Sequence, residues 1–161
     1  MDITEKAMKN HKKLFPEGNL KDNNDEELME IISNFSLDEA QEYDHLDEKT
    51  RQMVIISATI ATQTPKRYET FVKAALNVGV TPIEIKEILY QAVPYVGILK
   101  VLDLLESTNK IFEERGIKLP LEKQGTTTLE NRFDKGLEVQ KSIFGDVIDK
   151  NYENSPENQV H

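Results

Sequence analysis

The chain contains no cysteine. Disulfides, thiolate metal sites and thiol catalysis are therefore outside the chemistry it can perform by itself. It also lacks any stretch approaching the ~20 apolar residues that cross a bilayer. Its longest apolar run, Met53 to Ala61, is broken by Ser57 and Thr59. The opening MDITEKAMKNHKKLF has no apolar core of the kind that directs export, so a cytoplasmic location is expected. Positive charge is scarce too: 20 Lys and Arg stand against 29 Asp and Glu, for a formal net charge of -9. So acidic a chain repels phosphate backbones and anionic headgroups, and neither nucleic acid nor a membrane surface is an expected partner. There is no glycine-rich phosphate loop and no Ser-His-Asp context. Glu42-x-x-His45 has the spacing of one di-iron ligand pair, but such bundles need two pairs and two further glutamates. The cluster Asp44, His45, Asp47, Glu48 reads as a solvated acidic loop. No metal and no cofactor are expected.

What is present is helical periodicity over 161 residues, a length that suits one domain with a core and an appendage. A polar helix runs from about Asp2 to Phe15. A loop follows through Pro16, Gly18 and Lys21–Asn24. Asp25 then caps a second helix, with Leu28, Ile31, Ile32 and Phe35 on one stripe. Ser36-Leu37-Asp38-Glu39 has the form of a capping box opening a short third helix. A fourth, about Glu48 to Gln63, is apolar nearly all round, as in a helix buried centrally in a bundle. Thr64-Pro65 starts a fifth, with Phe71, Ala74, Ala75 and Val78 along one stripe, and Gly79 ends it. Thr81, Pro82 and Glu84 at once supply the N-cap, first position and third position of a sixth. Pro94 and Gly97 interrupt that helix. A seventh carries Ile98, Val101, Leu102, Leu105 and Phe112 on one face and ends at Gly116 and Pro120. A last helix spans about Asn131 to Phe144, before Gly145.

The last helix resembles the first. Aligning Thr4–Gly18 with Phe133–Val147 brings Lys6 to Lys135, Met8 to Leu137, Lys12 to Lys141, Leu14 to Ile143 and Phe15 to Phe144. A helix breaker follows in both, Pro16 and Gly145. Residues 1–120 then form one helical domain, 121–130 a polar linker, and 131–161 a helical tail resembling the start of a second copy. The rest of that copy is missing, either through truncation or because the tail serves another use. The last helix is expected to pack on the main domain or on a neighbouring subunit.

Lys49-Thr50-Arg51 opening an apolar helix, Ala75-Leu76-Asn77-Val78-Gly79-Val80-Thr81 with Glu84-Ile85, and Tyr95-Val96-Gly97 occur in one order and spacing. Over roughly Leu46 to Glu114 this resembles the carboxymuconolactone decarboxylase family, which includes the alkylhydroperoxidase D-like proteins. The tail resembles the lead-in of two-copy members. The resemblance implies an all-α, alkylhydroperoxidase D-like domain with a central helical hairpin. It also implies assembly with itself, commonly as trimers or hexamers, with sites near subunit contacts.

The redox branch of that family uses two cysteines, a histidine and an upstream glutamate. Counted back from Gly79, these positions hold Thr64, Arg67, Phe71 and Gln52. None supplies a thiolate, a resolving thiol or a proton relay, so thiol peroxidase chemistry is excluded for this chain. Decarboxylation of a carboxylated lactone needs instead a cation for the carboxylate, a group to handle the enolate's proton, and a pocket. Tyr95 and Arg51 are the catalytic candidates, with Arg67, Tyr68, Tyr90 and Gln91 as ligand-binding candidates and Lys66 a further cation. Each also has a plain structural role. Arg51 at a helix start pairs with a nearby carboxylate, Tyr95 beside Pro94 packs as a ring, and Glu84 caps its helix. Two functions stay open. One is a degenerate or ligand-binding helical oligomer, taking a small carboxylated or carbonyl ligand. The alternative is a lyase that decarboxylates a small carboxylated lactone.

Overall fold

The computed structural model describes residues 2–18, 20 and 24–153, and among these every regular element is helical. The α-helices are α1 (Glu5–Leu14), α2 (Glu26–Asn34), α3 (Ala40–Tyr43), α4 (Glu48–Ala61), α5 (Pro65–Asn77), α6 (Pro82–Val96), α7 (Ile98–Glu114), α8 (Arg132–Phe144) and α9 (Asp146–Glu153). A π turn, Phe35–Glu39, joins α2 to α3. None of the helices is long and apolar enough to cross a membrane. The chain divides into two compact units, the first ending at Leu121 and the second beginning at Glu122.

The core of the first unit lies among α4, α5, α6 and α7. Ile56 and Ile60 of α4, Tyr68, Val72 and Ala75 of α5, Ile85 and Leu89 of α6, and Val101, Leu104, Ile111 and Phe112 of α7 form one buried cluster. Each such aliphatic or Phe side chain removed from water contributes about 1.5–3 kcal/mol. Ile117, Leu119 and Leu121 fold back onto the same cluster.

The turn between α5 and α6 shows how sequence fixes this packing. Gly79 takes φ 91°, a left-handed value that favours glycine. The amide of Val80 then donates to Ala75 O (3.0 Å) and that of Gly79 to Leu76 O (3.2 Å), the paired bonds of a Schellman ending. Val80 and Ala75 are both buried, which supplies the apolar contact that accompanies such an ending. The next helix begins with the expected capping box. Glu84 N donates to Thr81 Oγ1 (3.3 Å), and Thr81 N donates to Glu84 Oε2 (2.8 Å).

α1 is held by polar groups. Asn34 accepts from Thr4 N (2.9 Å) and donates to Asp2 O (3.0 Å). Asn10 donates to Leu37 O (2.8 Å) and Gln41 Oε1 (3.0 Å). At the other end Asn77 donates to Leu14 O (2.8 Å).

Several expectations fail for identifiable reasons. The stripe Leu28, Ile31, Ile32, Phe35 is not core; all four residues are about half exposed. The buried residues of α2 are Ser33 and Asn34, because the hydrogen bonds to α1 run through Asn34. Ser36 opens no new helix. Its hydroxyl donates to Ile32 O (2.7 Å), and Asp38 is bound to Thr4 and Lys6 rather than serving as a cap. Asp25 stands at the start of α2 without a side-chain capping bond. α4 is buried only through Gln52, Ile56, Thr59 and Ile60, while Val54, Ser57, Ala58 and Ala61 are exposed. It ends at Ala61, and Gln63 beyond it takes a left-handed φ of 55°. Pro94 does not interrupt α6. A proline this near a helix end removes one backbone bond, and the helix runs on to Val96, where Gly97 at φ 91°, ψ 144° ends it.

In the second unit α8 and α9 meet across Gly145, whose φ is 62°. Phe133 and Tyr152 pack edge to face with centroids 6.3 Å apart, and Lys141 pairs with Asp149. Neither helix buries a residue. The helix after Gly145 was not expected from the sequence, where glycine reads as a stop.

Candidate functional site

Of the four positions where redox chemistry would sit, three hold groups with structural contacts and the fourth, Arg67, is exposed. Gln52 is buried on α4 and donates to Glu48 Oε1 (3.0 Å), while its Oε1 has no hydrogen-bond partner among the described residues. The Thr64 hydroxyl donates back to Thr59 O (3.3 Å). Arg67 is exposed on the first turn of α5. Phe71 is partly buried, packed on the core and edge to face with Phe15 at 6.2 Å.

Arg51 is engaged on three nitrogens. Nε donates to Asp44 Oδ2 (2.6 Å), Nη1 to Glu48 Oε2 (2.9 Å) and Nη2 to Leu46 O (2.8 Å). The guanidinium first, and then the Leu46 amide, hold the Asp44 carboxyl below its usual range. Asp44 lies seven residues before Arg51 on the loop into α4, so the ion pair fixes that loop to the helix. A guanidinium bonded in this way to two carboxylates and a carbonyl has its charge already matched and three of its five N–H donors engaged.

An open cleft of about 510 Å³ lies between α4 and α6. From α4 it is lined by Met53, Ser57, Ile60 and Ala61. From α6 it is lined by Glu84, Glu87, Ile88, Gln91, Ala92, Tyr95 and Val96. Helical spacing explains both sets. Met53, Ser57 and Ala61 recur at every fourth residue, and the small side chains at 57 and 61 leave room between the helices. On α6 the series Glu84, Ile88, Gln91, Tyr95 makes the facing wall. The volume is in the range of small-molecule sites.

The charged lining is acidic. Glu84 is tied to Lys49 Nζ (2.7 Å) as well as to Thr81. The Lys49 bond first, then the Thr81 amide and hydroxyl, hold its carboxyl down at about 2. Glu87 has no ion-pair partner among the described residues. No Lys or Arg is among the lining residues.

Of the sequence-predicted site residues, the cleft brings together Gln91 and Tyr95. Tyr95 is 87% exposed, so its ring stands at the rim. Arg51, Arg67 and Tyr90 lie outside the lining. Tyr68 is enclosed in the core, its hydroxyl 2.6 Å from Thr108 Oγ1, which in turn donates to Leu104 O. Burial pushes its phenol far above the usual value, against the pull of the Thr108 bond. Met53, Ser57, Ala61 and Glu87 were missed. The signal that could have found them is the paired periodicity of α4 and α6, whose outward stripes face one another.

Residues 26–110, just over half of the chain, match the model of the carboxymuconolactone decarboxylase family. The match begins with α2 and ends within α7, so it contains the whole cleft. A search of curated proteins finds no match.

Proposed function

The chain belongs to the carboxymuconolactone decarboxylase family, and within it we propose a non-catalytic member, a helical oligomer that binds an apolar ligand in the α4–α6 cleft. The observation that carries this reading is that no Lys or Arg lines the cleft. A carboxylated lactone needs a cation to receive its carboxylate and to stabilise charge during loss of CO₂. Here the charged lining is Glu84 and Glu87, and Arg51 is committed to Asp44 and Glu48. The floor, by contrast, is apolar: Met53, Ile60, Ile88, Ala92 and Val96.

Assembly is supported by a different surface. Leu28, Ile31, Ile32 and Phe35 form one half-exposed stripe, an arrangement found where another chain covers a helix. The stripe lies on α2 and the start of the π turn, which contribute no residue to the cleft lining. A trimer or hexamer is the expected state, and light scattering on the eluted protein checks it. Replacing Ile31 and Phe35 by Ser should shift the mass to that of a single chain.

The functional test is direct. Purified protein incubated with carboxymuconolactone is expected to give no turnover above buffer by ultraviolet absorbance, while hydrophobic probes shift cleft resonances. Turnover that is lost in Tyr95→Phe or Arg51→Ala would establish the lyase reading instead.

A further inference from the structure

Two apolar helix faces are left bare, and we propose that they cover one another between copies: α8 of one chain lies on the α2 stripe of a second copy. This rests on that stripe being an assembly surface, as proposed above, and adds which part of the neighbouring chain covers it.

Three observations converge. First, α8 carries the face by which α1 docks. α1 is buried through Ala7, Asn10 and Leu14, and the aligned residues of α8 are Gly136, Val139 and Ile143. Val139 and Ile143 are 58% and 66% exposed. Second, a glycine inside a helix costs stability relative to alanine. A Cβ built at Gly136 meets no described atom of its own chain within 4 Å, so nothing in that chain requires the glycine. A second helix crossing closely at that point does require a small residue, as the fully buried Ala7 shows for α1. Third, the areas match. The exposed parts of the α2 stripe, and those of Val139, Ile143 and Phe144 with their neighbours on α8, come to roughly 400 Å² a side. That is about half of the share each partner buries in a standard interface, and charged flanks form the rest as a rim.

Charge decides which face meets which. α2 contains Glu26, Glu27 and Glu30 and no Lys or Arg, so two α2 stripes set against each other bring like charges together. α8 contains Arg132, Lys135 and Lys141 against Asp134 and Glu138. Helical spacing puts the exposed Glu27 four residues before Ile31, on one border of the α2 stripe. It puts Lys135 four residues before Val139 and Lys141 four after Leu137, on the two borders of the α8 face. Lys135 pairs with Glu138 and Lys141 with Asp149, exposed pairs that exchange partners at little cost. Laying α8 on α2 therefore joins basic flanks to an acidic one, and it covers both bare faces with one kind of contact. A contact between unlike faces is also what a cyclic trimer requires.

The absence of cysteine makes the contact easy to test in the full chain. Ile31→Cys and Ile143→Cys are prepared separately, mixed in equal amounts and treated with a short bismaleimide, and the joined peptides are identified by mass spectrometry. The 31–143 product, which can form only between copies, should exceed both self-products. In the single chain α8 buries nothing, so substitutions on it are read in assembled mass and not in the unfolding of dilute protein. Lys135→Glu with Lys141→Glu should weaken assembly roughly tenfold by light scattering across a dilution series. Adding Glu27→Lys to that variant should restore most of the loss, which a mere structural defect in α8 would not allow. If the 31–31 product dominates, or assembled protein gives no 31–143 product, the α8 assignment is overturned while assembly through α2 stands. The assignment is likewise overturned if Glu27→Lys rescues nothing. It is overturned too if a chain carrying both cysteines joins them internally at a dilution where its mass is that of one chain. If the protein has the mass of a single chain at every concentration, both the assignment and the assembly reading fall.

Discussion

α1 and α8 carry the same pattern and have opposite surroundings. In α1, Ala7, Asn10 and Leu14 are buried. In α8 the matched positions Gly136, Val139 and Ile143 are not, and the helix buries nothing. The difference lies in the residues that make specific bonds. Thr4, the N-cap of α1, accepts from Ala7 N and donates its own amide to Asn34. Its counterpart is Phe133, whose side chain has no oxygen to accept the capping bond. Asn10 reaches Leu37 O and Gln41, and its counterpart is Val139. Lys6 bridges to Asp38 and Glu42, some thirty residues away, whereas Lys135 pairs with Glu138 three residues on in its own helix. A shared amphipathic pattern therefore specifies a helix, and the polar residues set among the apolar ones specify where it docks.

Matched substitutions break this comparison most sharply. Leu14→Ala should cost about 2–5 kcal/mol, as for a buried leucine in a core that relaxes only partly. Ile143→Ala should change stability by less than about 0.5 kcal/mol. Urea unfolding of the two variants measures both, and equal losses would show α8 to be as firmly packed as α1. Next in size is Asn34→Ala. It leaves Thr4 N and Asp2 O without their partner beside a buried site, so a loss of about 1–3 kcal/mol is expected. Hydrogen exchange should show the first turn of α1 opening. The exchange Asn10→Val, which installs in α1 the residue α8 has, should cost about 1–2 kcal/mol. The reciprocal Val139→Asn should be close to neutral by thermal melting, because α8 buries no group for it to bond.

The smallest effect is that of pH on the ion pair beside α1. The Thr4 hydroxyl first, and then Lys6, hold the Asp38 carboxyl below its usual value. A lowered carboxyl stabilises the fold above its ordinary pKa of 3.8 and loses that contribution as pH falls through the lower folded value. Protection of the α1 amides, relative to their intrinsic exchange, should therefore fall below pH 4, and that fall should be absent in Asp38→Asn. Glu84 behaves in the same sense over a wider window, from 4.5 down to about 2, and Glu84→Gln should flatten that part of the acid unfolding curve.

Most of the helical order was legible because its punctuation is local. Thr81, Pro82 and Glu84 act within one turn, and Gly79 acts through its own φ. Pairing that is not local was less legible. The sequence offers Asp44, His45, Asp47 and Glu48 near Arg51, and nothing in their order says that Asp44 and Glu48 take the guanidinium while Asp47 caps α4. The stripe on α2 reads as core because periodicity records an apolar face and not whether another helix covers it. The cleft depends on two helices at once, so Tyr95 and Gln91 stand out singly, while Met53, Ser57 and Glu87 show only when the stripes of α4 and α6 are read together.

Glu48 constrains which side chains position 52 can hold. Its Oε1 accepts from Gln52 and its Oε2 from Arg51. A glutamate at 52, the residue the peroxide-reducing branch uses there, would set two carboxylates against each other in a buried place. One would have to stay protonated, or Glu48 would have to change as well. A histidine at 71 would likewise give up the ring contact with Phe15. Rebuilding redox chemistry on this scaffold is therefore a coupled problem. At positions 52 and 71 each change disturbs a contact already made, whereas Thr64 and Arg67 are exposed.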